Sequence, residues 1–301
     1  MNLLITASPH INSGASTKKI MGDVLIALCP ALIAAVVIFG WRALLVTAVC
    51  AASCVFFEWG FEKLCHKEST IGDLSAAVTG VILAYNLPVS IPLWQAVFGG
   101  LVAIVAVKQL FGGIGKNFAN PALVGRIVLF LSFSKTMTAW VFPDGVSSAT
   151  PLAQLAAGES PDLMQLLLGN HGGCIGETCA LALLLGFAYL LIRGVITWQT
   201  PVCFVGTVFV LSLVLGQDAV RQILSGGLLF GAIFMATDYV TAPQTEWGRA
   251  LFGIGAGLIT CLIRFYGSYA EGVSFAILFM NILTPYLSRW TRSKPFGGVN
   301  A

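Results

Sequence analysis

The chain has 301 residues, of which 57% are hydrophobic and 10% charged, with a net charge of +3 and a mean hydropathy of +0.89. Soluble domains carry about a quarter charged residues, and one globular core cannot hide so large an apolar fraction. A soluble protein, a disordered chain and a nucleic-acid-binding module are excluded, the last because so small a positive charge cannot hold a phosphate backbone. The apolar runs are continuous rather than alternating, which favours an all-α polytopic membrane protein over a barrel.

Each span needs about 20 apolar residues. Ten runs qualify, at roughly 20–40, 41–62, 72–89, 94–111, 121–141, 176–193, 200–216, 223–241, 248–265 and 270–288. The expected organisation is a tail over 1–19, five helices over 20–141, a loop over 142–175, five more helices over 176–289 and a tail over 290–301. No small-residue cleavage site follows the first run, so it is expected to be a true span rather than a removed signal. With both termini in the cytoplasm of a prokaryotic cell, Lys18, Lys19, Lys63, Lys67, Lys108, Lys116, Arg126, Arg193, Arg249, Arg289, Arg292 and Lys294 fall on or near the inner side. Only Arg42, Lys135, Arg221 and Arg264 fall outside, as the excess of cations on the cytoplasmic side requires. The loop 142–175 has no Lys or Arg and is expected on the outer face.

The two halves look related. At an offset of 154, Ala96, Phe98, Gly99, Phe111 and Gly113 match Ala250, Phe252, Gly253, Phe265 and Gly267. At an offset of 151, Phe118-Ala119-Asn120-Pro121 faces Tyr269-Ala270-Glu271-Gly272. Five spans per half is odd, so the second unit runs inverted, a transporter architecture. Gly226, Gly227, Gly231, Gly253, Gly255 and Gly257 allow close helix approach, and packing alone accounts for most of them. Pro88, Pro121, Pro243 and Pro285 stand at or near span ends, where they can unwind helices.

Several chemistries are missing. His10, His66 and His171 all fall in loops, which argues against a membrane haem with paired imidazoles. The eight cysteines form no C-x-x-C pair and no metal site is expected. Cys174 and Cys179 are near enough in sequence to pair, and the spacing leaves free thiols as the alternative. Gly112-Gly113-Ile114-Gly115-Lys116-Asn117 lacks the spacing and hydroxyl of a phosphate-binding loop. No side chain is expected to act as a catalytic residue in its own right.

The outer loop contains Asp144-Gly145-Val146-Ser147-Ser148-Ala149-Thr150-Pro151. By composition this is a turn, with Asp-Gly starting it and Pro151 suited to the first turn of a helix. The same residues resemble the attachment signal for a covalent FMN, in which a flavin transferase joins the phosphate to the last hydroxyl, here Thr150. On that resemblance Asp144, Gly145, Ser147 and Ala149 are recognition elements. Residues 108–126 (KQLFGGIGKNFANPALVGR), 235–243 (MATDYVTAP) and 269–285 (YAEGVSFAILFMNILTP) are similar to the D subunit family of the Rnf complex, homologous to the B subunit of the sodium-translocating NADH:quinone reductase. The resemblance runs from about residue 16 to 290. One departure is Asn117-Phe118-Ala119-Asn120-Pro121, where the family often has Asn-Pro-Phe-Asn-Pro.

The resemblance implies a component of a membrane complex that passes electrons between ferredoxin and NAD while moving sodium ions or protons. It implies paired five-helix repeats like those of urea and ammonium transporters, covalent FMN on the outer face and an associated non-covalent riboflavin. The partners implied are the A, B, C, E and G subunits, the flavin transferase and membrane lipid. The quinone-reductase B subunit and a redox-inactive channel for a small solute are the competing readings. Intramembrane acids are candidates for the ion path. Asp238 ranks first because a helix break follows at Pro243; Asn120 and Glu271 come next as matched repeat positions, then Asp23. Snorkelling or capping at the interface is the commoner use of such residues.

Overall fold

The computed structural model describes residues 16–140, 149–267 and 272–292. These residues are mostly helical, and among them the only β contact is an isolated antiparallel bridge between Pro88 and Cys174. In chain order the helices are α1 (Thr17–Phe39), α2 (Trp41–Leu64), α3 (Ser75–Tyr85), α4 (Leu93–Leu101, continued by a π-helical stretch Val102–Gln109) and α5 (Pro121–Ser132). There follow three short helices, α6 (Ser134–Met137), α7 (Pro151–Ala156) and α8 (Leu163–Leu168). The second part has α9 (Ala180–Ile192), α10 (Gln199–Val214), α11 (Ala219–Leu224), α12 (Leu228–Phe230, continued by a π-helical stretch Gly231–Met235), α13 (Glu246–Tyr266) and α14 (Val273–Trp290).

Three helices, α1, α2 and α13, are long and apolar enough to cross a membrane. Their outward faces are as apolar as their inward ones: Val37 and Leu64 are each 80% exposed, a placement that suits lipid and not water.

Four expected spans are shorter than the apolar runs that suggested them. The run 72–89 yields only the 11 residues of α3. Asn86 donates from Nδ2 to the Ile82 carbonyl, and Pro88 cannot continue a helix. The chain beyond pairs its backbone with the segment around Cys174: Ile175 N donates to Leu87 O and Gly176 N to Tyr85 O. The run 223–241 is likewise divided. Ser225 ends α11, Gly226 takes a left-handed φ of +67° that only glycine adopts freely, and the helix resumes at Leu228 and stops at Met235. The run 121–141 ends its helix at Ser132, and 176–193 starts its helix only at Ala180.

Close packing explains several glycines. A Cβ on Gly253 would stand 2.7 Å from the Thr200 carbonyl, and one on Gly257 2.6 Å from Thr207, so this i,i+4 pair lets α13 press against α10. Gly80 does the same for α3 on α2, where a Cβ would meet the Ala51 backbone at 2.6 Å. Pro285, expected at or near a span end where it could unwind the helix, lies inside α14, which continues unbroken to Trp290.

A buried ion pair ties α2 to the π-helical stretch after α4. Lys108 Nζ lies 2.6 Å from Glu58 Oε1 and 2.6 Å from Ser75 Oγ, and Gln109 Nε2 donates to the same Glu58 oxygen at 2.8 Å. Glu62 accepts from the hydroxyl and the amide of Thr70 one turn along.

Candidate functional site

Two cavities lie toward opposite ends of the helices. The direction follows from α13 and α14, which are antiparallel: Gly272 approaches Ile263 at one end, and Thr245 bonds Thr291 at the other.

The first cavity, of about 260 Å³, is lined by Thr150 together with α5, α14 and the segments around His171 and Gly226. Thr150 is the N-cap of α7 and Pro151 opens the helix, so the hydroxyl accepts from Ala153 N at 3.3 Å while staying half-exposed. An ester at Oγ1 would keep that acceptor role. Ala149 beside it is exposed; Asp144, Gly145 and Ser147 lie outside the described residues. The walls are apolar and aromatic, with Phe130 and Phe275 meeting edge to face at 6.2 Å.

Three polar side chains complete these walls. Arg126, 5% exposed, bonds Ser274 Oγ through Nη1 and lies 3.9 Å from Cys174 Sγ through Nη2. Glu177 accepts from Cys174 N at 2.9 Å. His171, also 5% exposed, has Nδ1 3.2 Å from the Gly172 carbonyl, and its Nε2 has no partner within hydrogen-bond geometry. Burial pushes the His171 imidazole below the ordinary histidine range, and the Gly172 and Thr178 carbonyls pull it part of the way back. Sequence reasoning misses these groups. Arg126, by sequence one of the inner-side cations, instead shares a cavity with Thr150. His171 reads in sequence only as a loop residue. The backbone pairing of its segment with Tyr85–Pro88 buries that loop, a long-range event with no local signature.

The second cavity, of about 280 Å³, contains Asn120 and Asp238 together, with Lys108, Asn117, Thr79 and Thr237 on its wall. Asn120 caps α5, accepting from Ala122 N at 3.1 Å and Leu123 N at 3.4 Å, and Pro121 supplies the first helical residue. Asp238 accepts from Thr241 Oγ1 at 3.0 Å and Val240 N at 3.4 Å in the turn after the π-helical stretch. The turn is anchored to α14 by Thr284, which donates to the Thr241 carbonyl at 2.7 Å. Phe118, the departure from the family's proline, is exposed and packs at a tilt against Phe111, ring centroids 4.9 Å apart. The other candidates are elsewhere. Asp23 is clamped by Arg193 through Nε at 3.3 Å and Nη2 at 3.2 Å, with Tyr189 donating at 3.0 Å, which links α1 to α9. Glu271 lies outside the described residues.

Cys174 and Cys179 are not joined to each other; their thiols are directed to the carbonyls of Asn86 and Leu167 respectively. Among the described residues no three His, Cys, Asp or Glu side chains gather as metal ligands would.

The model of the NQR2, RnfD, RnfE family matches residues 4–297. The chain is 46% identical over 305 residues to the D subunit of the Na(+)-translocating ferredoxin:NAD(+) oxidoreductase complex of Acetobacterium woodii, covering 99% of this chain and 96% of that one. It is 39% identical to the D subunit of the proton-translocating ferredoxin:NAD(+) oxidoreductase complex of Clostridium ljungdahlii, covering 97% and 96%. It is 34% identical to the D subunit of the ion-translocating oxidoreductase complex of Actinobacillus succinogenes, covering 98% of each. The long apolar helices with lipid-suited faces and these relatives together make the chain a membrane protein. Matched over nearly its whole length, with the helix breaks and buried polar groups described above, the chain belongs to the NQR2, RnfD, RnfE family.

Proposed function

We propose that the chain is the membrane component of a complex coupling electron transfer between ferredoxin and NAD to translocation of sodium ions or protons, with FMN esterified to Thr150. The observation that carries the flavin reading is a capped, half-exposed threonine hydroxyl at an apolar cavity. The residues present fit the group: aromatic walls for a ring system and a buried guanidinium. Bound there, FMN would take up and release electrons, and the protein would supply position and electrostatics. A mass measurement of the tryptic peptide containing Thr150 tests this. The mass of FMN less water is expected on that peptide, and an unmodified peptide from the intact complex overturns the reading.

The ten-span architecture, as two inverted five-helix units, is part of the same proposal. Its support is the pair of half-length helices, α3 and α12 with its π-helical stretch, and the matched starts of α5 after Asn120 and α14 after Gly272. In this reading the Thr150 end is the outer face of a prokaryotic cell membrane and both termini are cytoplasmic. Arg42, Arg221 and Arg264 support it, being bonded to the Val89–Ile91, Pro161 and Gln222–Ser225 backbones of the Thr150 end. The second cavity is the room for a non-covalent riboflavin and for ion passage by Asp238 and Asn120. The A, B, C, E and G subunits are the proposed partners, with a flavin transferase needed for maturation.

A further inference from the structure

We propose that the exposed face of α2 seats one anionic phospholipid, with an acyl chain in the groove beside Phe56 and the headgroup phosphate on Lys63 and Lys67. The site stands apart from both cavities and does not depend on the flavin reading.

The depth comes first. Trp41 and Trp59 stand toward opposite ends of α2, both exposed, and at 1.5 Å per residue they are about 27 Å apart along the axis. The hydrocarbon core of a bilayer is roughly 30 Å thick, and exposed tryptophans settle at its two boundaries. Arg42, next to Trp41, bonds the Val89 carbonyl at the Thr150 end, so Trp59 marks the opposite boundary. Lys63 follows one turn further on, at headgroup level.

The side chains at that end are ordered as the parts of a phospholipid are. A groove of about 480 Å³ is lined by Ala51, Ala52, Val55, Phe56 and Trp59, with Ile71 as its other wall. The two alanines leave the room for a chain. Lys63 Nζ then lies 5.0 Å from the centre of the Trp59 ring, a cation held over an aromatic face. Lys67 Nζ lies 5.1 Å from the Phe61 ring and gives one of its donors to the Gln109 carbonyl at 3.5 Å. Among the described residues neither lysine is paired with a carboxylate: Glu62 accepts from Thr70 and is buried, and exposed Glu68 forms no ion pair with either.

The groove alone cannot select a lipid, because an acyl chain gains little by leaving other chains for an equally apolar wall. Selectivity therefore lies in the headgroup, where each lysine near an anionic surface contributes a factor of roughly five in affinity. A phosphate supplies the negative charge that both ammonium groups lack.

The test uses the intact complex in vesicles of equal parts phosphatidylglycerol and phosphatidylcholine, with the photoreactive p-benzoylphenylalanine in place of Phe56. Irradiation is expected to add the mass of a phospholipid to the α2 peptide. An adduct with another polypeptide, or no lipid adduct, overturns the proposal. The adduct is expected to carry phosphatidylglycerol in roughly fivefold excess or more. Lys63→Gln with Lys67→Gln should bring that ratio near one, whereas Lys135→Gln, at an exposed lysine of the Thr150 end, leaves it unchanged. An even ratio before the double change, or an excess that survives it, also overturns the proposal. All the altered side chains are exposed, so their replacement leaves the fold intact.

Discussion

Asn120 caps α5 and Arg126 lies midway along it, yet each lines a different cavity, Asn120 the one with Asp238 and Arg126 the one with Thr150. Six residues of helix span about 9 Å at 1.5 Å per residue. Between them Leu123 is fully buried, in a packed layer that also contains Tyr85 and Phe230, whose rings are 5.8 Å apart. The start of α5 therefore lines one cavity and its second half the other, with a buried layer between them.

That separation predicts how Asp238 behaves. Asp238→Asn is expected to lower ion movement by roughly tenfold, equivalent to about 1.4 kcal/mol, while leaving covalent flavin content unchanged. Sodium uptake and acidification in inverted vesicles, with in-gel fluorescence alongside, check both halves. Unchanged ion movement would make the residue structural, a clamp on Thr241.

The Glu58–Lys108 pair predicts a stability effect. Lys108→Met leaves a carboxylate buried without its counter-charge and is expected to destabilise by about 3–5 kcal/mol. The double change Glu58→Gln with Lys108→Met should recover most of that loss. Denaturation of the purified protein in detergent measures the difference between the two variants.

The glycine contacts of α13 make a third case. Gly257→Val forces a methyl-bearing carbon against Thr207 and is expected to cost about 1–3 kcal/mol. Gly206→Ala, on the neighbouring helix but with open space around it, should be neutral or stabilising. Thermal unfolding of the two variants side by side decides whether close approach or glycine content matters.

The fourth prediction concerns pH. Burial lowers the His171 value in the folded chain below the ordinary 6.5. The unfolded state therefore binds the proton first, and stability is lost as pH falls through the ordinary value toward the lowered one. His171→Gln should flatten this acid-side loss, measured as the difference in melting temperature between pH 7.5 and 5.5 (about one unit either side of the ordinary value). Glu177 and Arg126 face the same cavity and remain in both proteins, so they do not generate the difference.

Much of the helical order is legible in the sequence because long apolar runs and their capping residues are local signals. Asn120-Pro121 announces the start of α5, and Thr150-Pro151 the start of α7. The half-length helices are not legible. Leu87, Val89 and Ile91, just past the end of α3, are as buried as a helix interior, so hydropathy cannot see that Asn86 and Pro88 stop the helix. The candidate threonine is legible as a motif, whereas Arg126 and His171 are not. Their place in the cavity depends on where a distant segment folds back, and neither residue's neighbours in sequence encode that.

The walls of the Thr150 cavity come mainly from later in the chain: His171, Glu177, Gly226 and Ser274 all follow the threonine. The Pro88–Cys174 bridge likewise waits for a residue 86 positions downstream of its first partner. A growing polypeptide therefore exposes the hydroxyl before it owns the pocket beside it, and there is an interval in synthesis when a modifying enzyme would meet Thr150 on an open loop.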